Sequence, residues 1–191
     1  MIEILIEVRF HGRGGQGVVT AADILAVAAF KEGYHTLSFP TFGAEKRGTP
    51  VASFLRISDE PIVVRDEIYN PDYVVVLDPT VMESVNVVAG IKEGGIIIFN
   101  HPKSADELEK EIKADELNVK VVSMNATKLA MEVLGRPITN TIMVGAFAGA
   151  SRVITLETLI DTIYEWFSGD IARKNAKLVE DAYRYMMEVI Q

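Results

Sequence analysis

The sequence predicts an α/β fold: a three-layer, Rossmann-like sheet, mostly parallel with one antiparallel insertion, helices on both faces and a helical C-terminus. Three observations predict it. Short β-branched runs alternate with segments of helical spacing. A Gly-rich turn, Gly12-Arg13-Gly14-Gly15-Gln16-Gly17, stands between the first strand signal and the first helix signal. Beyond residue 139 the chain reads as helix throughout. With no repeat, low-complexity tract or linker, residues 1–191 are read as one domain.

Each element has a local reason. Residues 2–10 alternate as a strand. Val18, Ala21, Ala22, Leu25, Ala28 and Ala29 recur at helical spacing over 18–32, and Gly33 fits the stop. Residues 34–39 form a second strand ended by Pro40, so the first forty residues read as the start of a parallel sheet. Val51 to Ile57 is a strand, Asp59-Glu60-Pro61 a turn, and Ile62-Val63-Val64 an antiparallel return. Tyr73 to Leu77 and Ile96 to Phe99 are continuous apolar runs, expected of strands covered on both faces. Thr80 with Glu83, and Ser104 with Glu107, have capping-box spacing and predict helices to Ala89 and to about Lys113. Val119 to Val122 is a strand, and Asn125 caps a helix that ends at Gly135. Residues 139–151, 155–168 and 170–190 are helices. The last carries Tyr183, Tyr185 and Met187 on a face suited to a subunit contact.

Composition excludes several function classes. The 191 residues contain no cysteine, which removes disulfides, a thiolate nucleophile and Cys-held clusters from this chain. Net charge is −8, so nucleic acid and anionic lipid are disfavoured as partners. The acidic N-terminus is unlike a signal peptide, and the longest small-apolar run, Ile142 to Ala150, is far short of a membrane span. The expected location is the cytoplasm.

The Gly-rich turn has G-x-G-x-x-G spacing at Gly12, Gly14 and Gly17, in the strand–turn–helix context where backbone amides and a helix N-terminus attract an anion. Arg13 and Gln16 would add side-chain donors. An anion site is favoured over a ligand-free turn. A dinucleotide is disfavoured, because the second strand ends Leu37-Ser38-Phe39-Pro40 with no acid to hold a ribose. The loop over 40–49, with Lys46 and Arg47 beside Phe39 and Phe42, reads equally as ordinary solvated surface or as a ligand contact. Asp78, Thr80 and Asn100 follow later strand ends; capping suffices to explain Thr80. His11, His35 and His101 have no metal spacing and are read as structural. No catalytic constellation is complete, which suggests a binding module serving chemistry elsewhere.

Three motifs in order carry a family resemblance. They are His11-Gly12-Arg13-Gly14-Gly15-Gln16-Gly17; Phe39-Pro40-Thr41-Phe42-Gly43-Ala44-Glu45-Lys46-Arg47-Gly48-Thr49-Pro50-Val51; and Arg56-Ile57-Ser58-Asp59-Glu60-Pro61-Ile62, with Asn140-Thr141 and Met143-Val144-Gly145-Ala146 later. Together they resemble the gamma subunits of the pyruvate:ferredoxin oxidoreductase (pyruvate synthase) family of 2-oxoacid oxidoreductases, over nearly the whole chain. The resemblance implies a complex with alpha, beta and delta subunits. Thiamine diphosphate, Mg and iron–sulfur clusters would lie in those partners, and electrons would pass to ferredoxin. It also implies coenzyme A as a substrate near this chain. The residues expected to bind it are Gly12, Arg13, Gly14, Gly15, Gln16, Gly17, Thr41, Lys46 and Arg47. Gamma subunits of 2-oxoisovalerate, 2-oxoglutarate or indolepyruvate enzymes are the alternatives within the family. A free-standing nucleotide-binding oxidoreductase is the alternative outside it, and a ligand-free scaffold is a third reading.

Overall fold

A computed structural model describes residues 4–41 and 47–190. Its core is one sheet of six strands in the order β2-β3-β1-β4-β5-β6. The strands are β1 (Leu5–Arg13), β2 (His35–Pro40), β3 (Pro50–Ser58), β4 (Tyr73–Val76), β5 (Ile96–Asn100) and β6 (Lys120–Met124). β1, β4, β5 and β6 pair in parallel, whereas β3 runs antiparallel to both of its neighbours, β1 and β2.

Helices α1 (Val18–Lys31), α4 (Ala126–Leu134), α5 (Asn140–Ser151), α6 (Leu156–Trp166) and α7 (Gly169–Val189) share a core with Val8, Phe10, Leu55, Ile57, Val75 and Ile98. The alternate residues Val74, Val76, Ile97 and Phe99 face the other way, onto α2 (Ala105–Ile112) and α3 (Ala114–Leu117). This is the period-two consequence of strands buried on both faces. Each fully buried Phe or Ile contributes roughly 1.5–3 kcal/mol.

On the face away from α1, β1 carries polar side chains. Arg9 is buried and donates from Nε to His11 Nε2 at 3.0 Å, from Nη1 to the Ile68 carbonyl at 3.3 Å, and from Nη2 to the carbonyls of Val87 and Ala89 at 3.0 and 2.6 Å. Among the described residues no carboxylate pairs with it. It fastens two irregular segments over the sheet. Burial, and then the neighbouring Arg9 charge, push His11 down to about 3, so it is a neutral acceptor.

α5 and α7 lie parallel and unusually close. Thr141 Oγ1 meets Asn175 Oδ1 at 2.7 Å, and one turn on a Cβ at Gly145 would lie 2.4 Å from the Val179 carbonyl oxygen. A further turn on, a Cβ at Gly149 would lie 2.3 Å from the Tyr183 carbonyl oxygen. Only glycine permits this backbone approach.

Three sequence expectations need correction. First, β1-α1-β2 is not an adjacent parallel pair, because β3 inserts between the two strands. Second, Ile62-Val63-Val64 is not a strand: β3 already has a partner on each edge, and Val63 is left 85% exposed. Third, the helix expected over 80–89 is a 3₁₀ turn, Pro79–Glu83, whose N-cap is Asp78 rather than Thr80. Val85, Val87 and Val88, with Asn86, are poor continuations of it. The Ser104–Glu107 capping box and the Asn125 cap form as expected.

Candidate functional site at the β1–β4 switch point

β1 leads into α1 on one face of the sheet, while the chain leaving β4 turns toward the other. In open α/β sheets ligands bind at such a divergence, beyond the carboxyl ends of the strands. His11 pairs with Val76, so the Gly-rich turn and Asp78 emerge side by side.

The turn is shaped by its glycines. A Cβ at Gly12 would lie 2.6 Å from Val18 Cγ2, so α1 is able to start close to β1 only because that position is bare. Gly17 is the N-cap of α1 in the left-handed region, with φ 77°. Because glycine has no side chain, the N-cap of α1 makes no side-chain cap bond among the described residues. The helix dipole adds partial positive charge there.

Side chains lock this turn to the β4 exit. Arg13 N donates to Gln16 Oε1 at 2.7 Å, and Gln16 Nε2 donates to Asp78 Oδ2 at 2.6 Å. Arg13 donates from Nε to Thr80 Oγ1 at 2.7 Å, from Nη2 to the Thr80 carbonyl at 3.0 Å, and from Nη1 to the Gly48 carbonyl at 3.0 Å. Burial raises the Asp78 carboxyl, but hydrogen bonds from Thr80 and Gln16, with the Arg13 charge, outweigh it and hold the group below its ordinary value. It is an anion at neutral pH.

The second loop joins the first through backbone. Gly14 N donates to the Thr49 carbonyl at 2.8 Å, and Gly48 N donates to the Gly14 carbonyl at 3.1 Å. Arg47 therefore lies by the turn; a Cβ at Gly15 would be 3.7 Å from Arg47 Cγ. Of the expected site residues, Gly12 to Gly17 and Arg47 are thus brought together. Thr41 stands at the other end of the loop, with its N and Oγ1 both donating to the Ala52 carbonyl as a continuation of the β2–β3 pairing. Lys46 and Phe42 lie outside the described residues.

Arg13 and Gln16 were expected as donors to a ligand. Their geometry gives them a further task, as struts that hold the rim. Thr80, assigned to helix capping from sequence, instead receives Arg13. Asn100 is a peg, donating to the Leu77 carbonyl at 2.7 Å and to Thr127 Oγ1 at 2.9 Å. His101 Nδ1 accepts from Lys103 N at 2.9 Å; burial and then Lys103 lower its pKa. Asn140, quoted from sequence only within a motif, packs its amide on Gly17.

The strand order beside β1 differs from that of the dinucleotide fingerprint. The residue that would hold a ribose belongs on a strand beside β1, and here that neighbour is the antiparallel β3. Among the described residues no three His, Asp or Glu side chains are grouped to hold a metal. No helix among them is long and apolar enough to cross a membrane.

Fold and site together define an α/β domain with a helix N-terminus that has no side-chain cap at its switch point. The chain belongs, as a gamma-type member, to the pyruvate ferredoxin/flavodoxin oxidoreductase family, which it matches over residues 7–185. It is 51% identical over 179 residues, 94% of this chain and 96% of the relative, to the pyruvate/ketoisovalerate oxidoreductases common subunit gamma of Thermococcus kodakarensis. The crystal structure of pyruvate oxidoreductase subunit PORC from Thermotoga maritima superimposes with a TM-score of 0.82 at 32% identity, covering 94% of this chain and 96% of that one. The fold also recurs in the 2-oxoglutarate:ferredoxin oxidoreductase of Magnetococcus marinus, solved with 2-oxoglutarate, coenzyme A and succinyl-CoA bound. There the TM-score is 0.75 at 20% identity, and the match covers 99% of this chain and 32% of that longer one.

With no cysteine in the sequence, this chain offers no thiolate to an iron–sulfur cluster.

Proposed function

We propose that this gamma-type chain serves pyruvate:ferredoxin oxidoreductase as the subunit that receives coenzyme A and presents it to a catalytic centre in partner chains. The overall reaction converts pyruvate, coenzyme A and two oxidised ferredoxins to acetyl-CoA, carbon dioxide and two reduced ferredoxins. Alpha, beta and delta subunits would carry thiamine diphosphate, Mg and the clusters, and the complex would work in the cytoplasm.

One observation carries the reading: the paired backbone bonds between Gly14 and residues 48–49 set Arg47 beside the uncapped start of α1. Backbone amides, a helix dipole and a guanidinium suit a diphosphate, which carries several charges within one short group. Coenzyme A in the Magnetococcus enzyme supports the choice of ligand. Arg13, Gln16 and Asp78 keep the rim in shape, and Lys46 and Thr41 belong to the same loop.

Isothermal titration of the assembled complex with coenzyme A tests this. An Arg47→Ala/Lys46→Ala variant is expected to bind about tenfold or more weakly, the size of one lost charge-assisted contact. Unchanged affinity would remove the site. The name of the Thermococcus relative favours a second substrate, and activity of the same complex on 2-oxoisovalerate would show that one gamma chain serves both.

A further inference from the structure

Residues 62–70 belong to no regular element, yet two buried arginines fix their course. Arg56 Nη1 donates to the carbonyls of Val64 and Asp66 at 3.3 and 2.8 Å, and Arg9 Nη1 donates to that of Ile68 at 3.3 Å. Carbonyls of alternate residues share one side in an extended chain. The segment therefore runs like a strand, laid over β1 and β3 on the face away from α1.

It has the backbone of a strand without the ladder. No backbone amide from Ile62 to Asn70 donates to any group among the described residues. With Val64, Asp66 and Ile68 turned to the arginines, the peptide groups of Val63 and Arg65 are left for the outer side. The side chains match this picture. Val63 is 85% exposed, Val64 56% and Tyr69 66%, although β-branched and aromatic residues favour paired strands. An unpaired row of this kind is a template for another chain. The segment is also acidic, with Asp59, Glu60, Asp66 and Glu67 set against Arg65 alone.

We propose that residues 62–68 are one half of a β-pair, completed by an extended segment of another subunit of the same complex. The inference rests on the reading above that this gamma-type chain works in an assembly. Strand addition gives the outward amides their acceptors and covers Val63 and Val64 with side chains of the added strand. It asks for no rearrangement here, because Arg9 and Arg56 already hold the segment extended. The occupant is basic, since the acids along the segment attract Lys and Arg. The same charge excludes the corresponding segment of a second copy, where acids would face acids.

The test is hydrogen exchange read by mass spectrometry, on the full chain alone and in the assembled complex. Amides of residues 62–67 should exchange fast in the chain alone and about a hundredfold or more slowly in the complex. Fast exchange in both overturns the proposal. Two substitutions at the exposed Val63 separate strand addition from simple apolar contact. Val63→Pro removes an outward amide and should weaken association with the other subunits about tenfold. Val63→Ala keeps the amide and should weaken it less. Equal losses, or native affinity of Val63→Pro, overturn strand addition. Glu60→Lys should weaken association several-fold, and native affinity there would overturn the basic occupant. A chain that joins no other subunit overturns the assembly reading together with this one. A complex that forms, binds coenzyme A and leaves residues 62–67 unprotected overturns this one alone.

Discussion

Lowering the pH should destabilise this chain through a single buried histidine. His11 is 6% exposed and accepts from Arg9 Nε, which is itself buried beside it. Folding holds His11 down to about 3, with burial the larger cause and the Arg9 charge the second. In the unfolded chain the same imidazole titrates near its ordinary value of about 6.5. Between those two values the unfolded state binds a proton that the folded state refuses. The stabilisation is therefore complete above about pH 6.5 and is lost progressively as pH falls toward 3. The slope is about 1.4 kcal/mol per pH unit, on the order of 4–5 kcal/mol across the whole window. Urea denaturation at pH 7, 6, 5 and 4 measures it. Carboxylates contribute in the same direction, so the comparison is with His11→Gln, whose carbonyl still accepts from Arg9 but takes up no proton. Native protein should lose about 1.4 kcal/mol per unit more than the variant. Parallel slopes would show that His11 is not the group responsible.

Two further outcomes follow from close contacts. Gly145→Ala drives a methyl into the Val179 backbone and should cost about 1–3 kcal/mol despite alanine's better helix propensity, lowering Tm by several degrees in a thermal scan. Asp78→Ala frees Gln16 and loosens the Arg13 strut, so coenzyme A affinity of the complex should fall about tenfold while Tm moves little, because the carboxylate is part-exposed. An unchanged Tm in the first case, or unchanged affinity in the second, would contradict the packing and strut assignments respectively.

The Gly-rich turn was legible because glycine spacing, a preceding strand and a following apolar helix are all local signals. The Ser104–Glu107 box and Asn125 were legible for the same reason. Strand order was not. Residues 34–39 have a β pattern whether they lie beside β1 or one place removed, and only β3 returning antiparallel decides which. Ile62-Val63-Val64 has strand composition but finds no free edge, so composition alone misplaces it. The site showed a similar divide. That Arg13 and Arg47 belong to one rim was readable from loop positions. That Arg13 is bound to Thr80 and Gly48 depends on how the turns at residues 48 and 80 converge, which pairing across the sheet determines. Asn140 was legible only as part of the Asn140-Thr141 motif, since nothing else in residues 139–151 distinguishes its amide from an ordinary helix start.

The mutual grip of Arg13, Gln16, Asp78 and Thr80 has a kinetic consequence. On the coenzyme A reading proposed above, a rim already held by its own side chains would not have to be frozen by an arriving cofactor, so little conformational entropy would be lost at docking. Association would then run at the speed of diffusion and orientation.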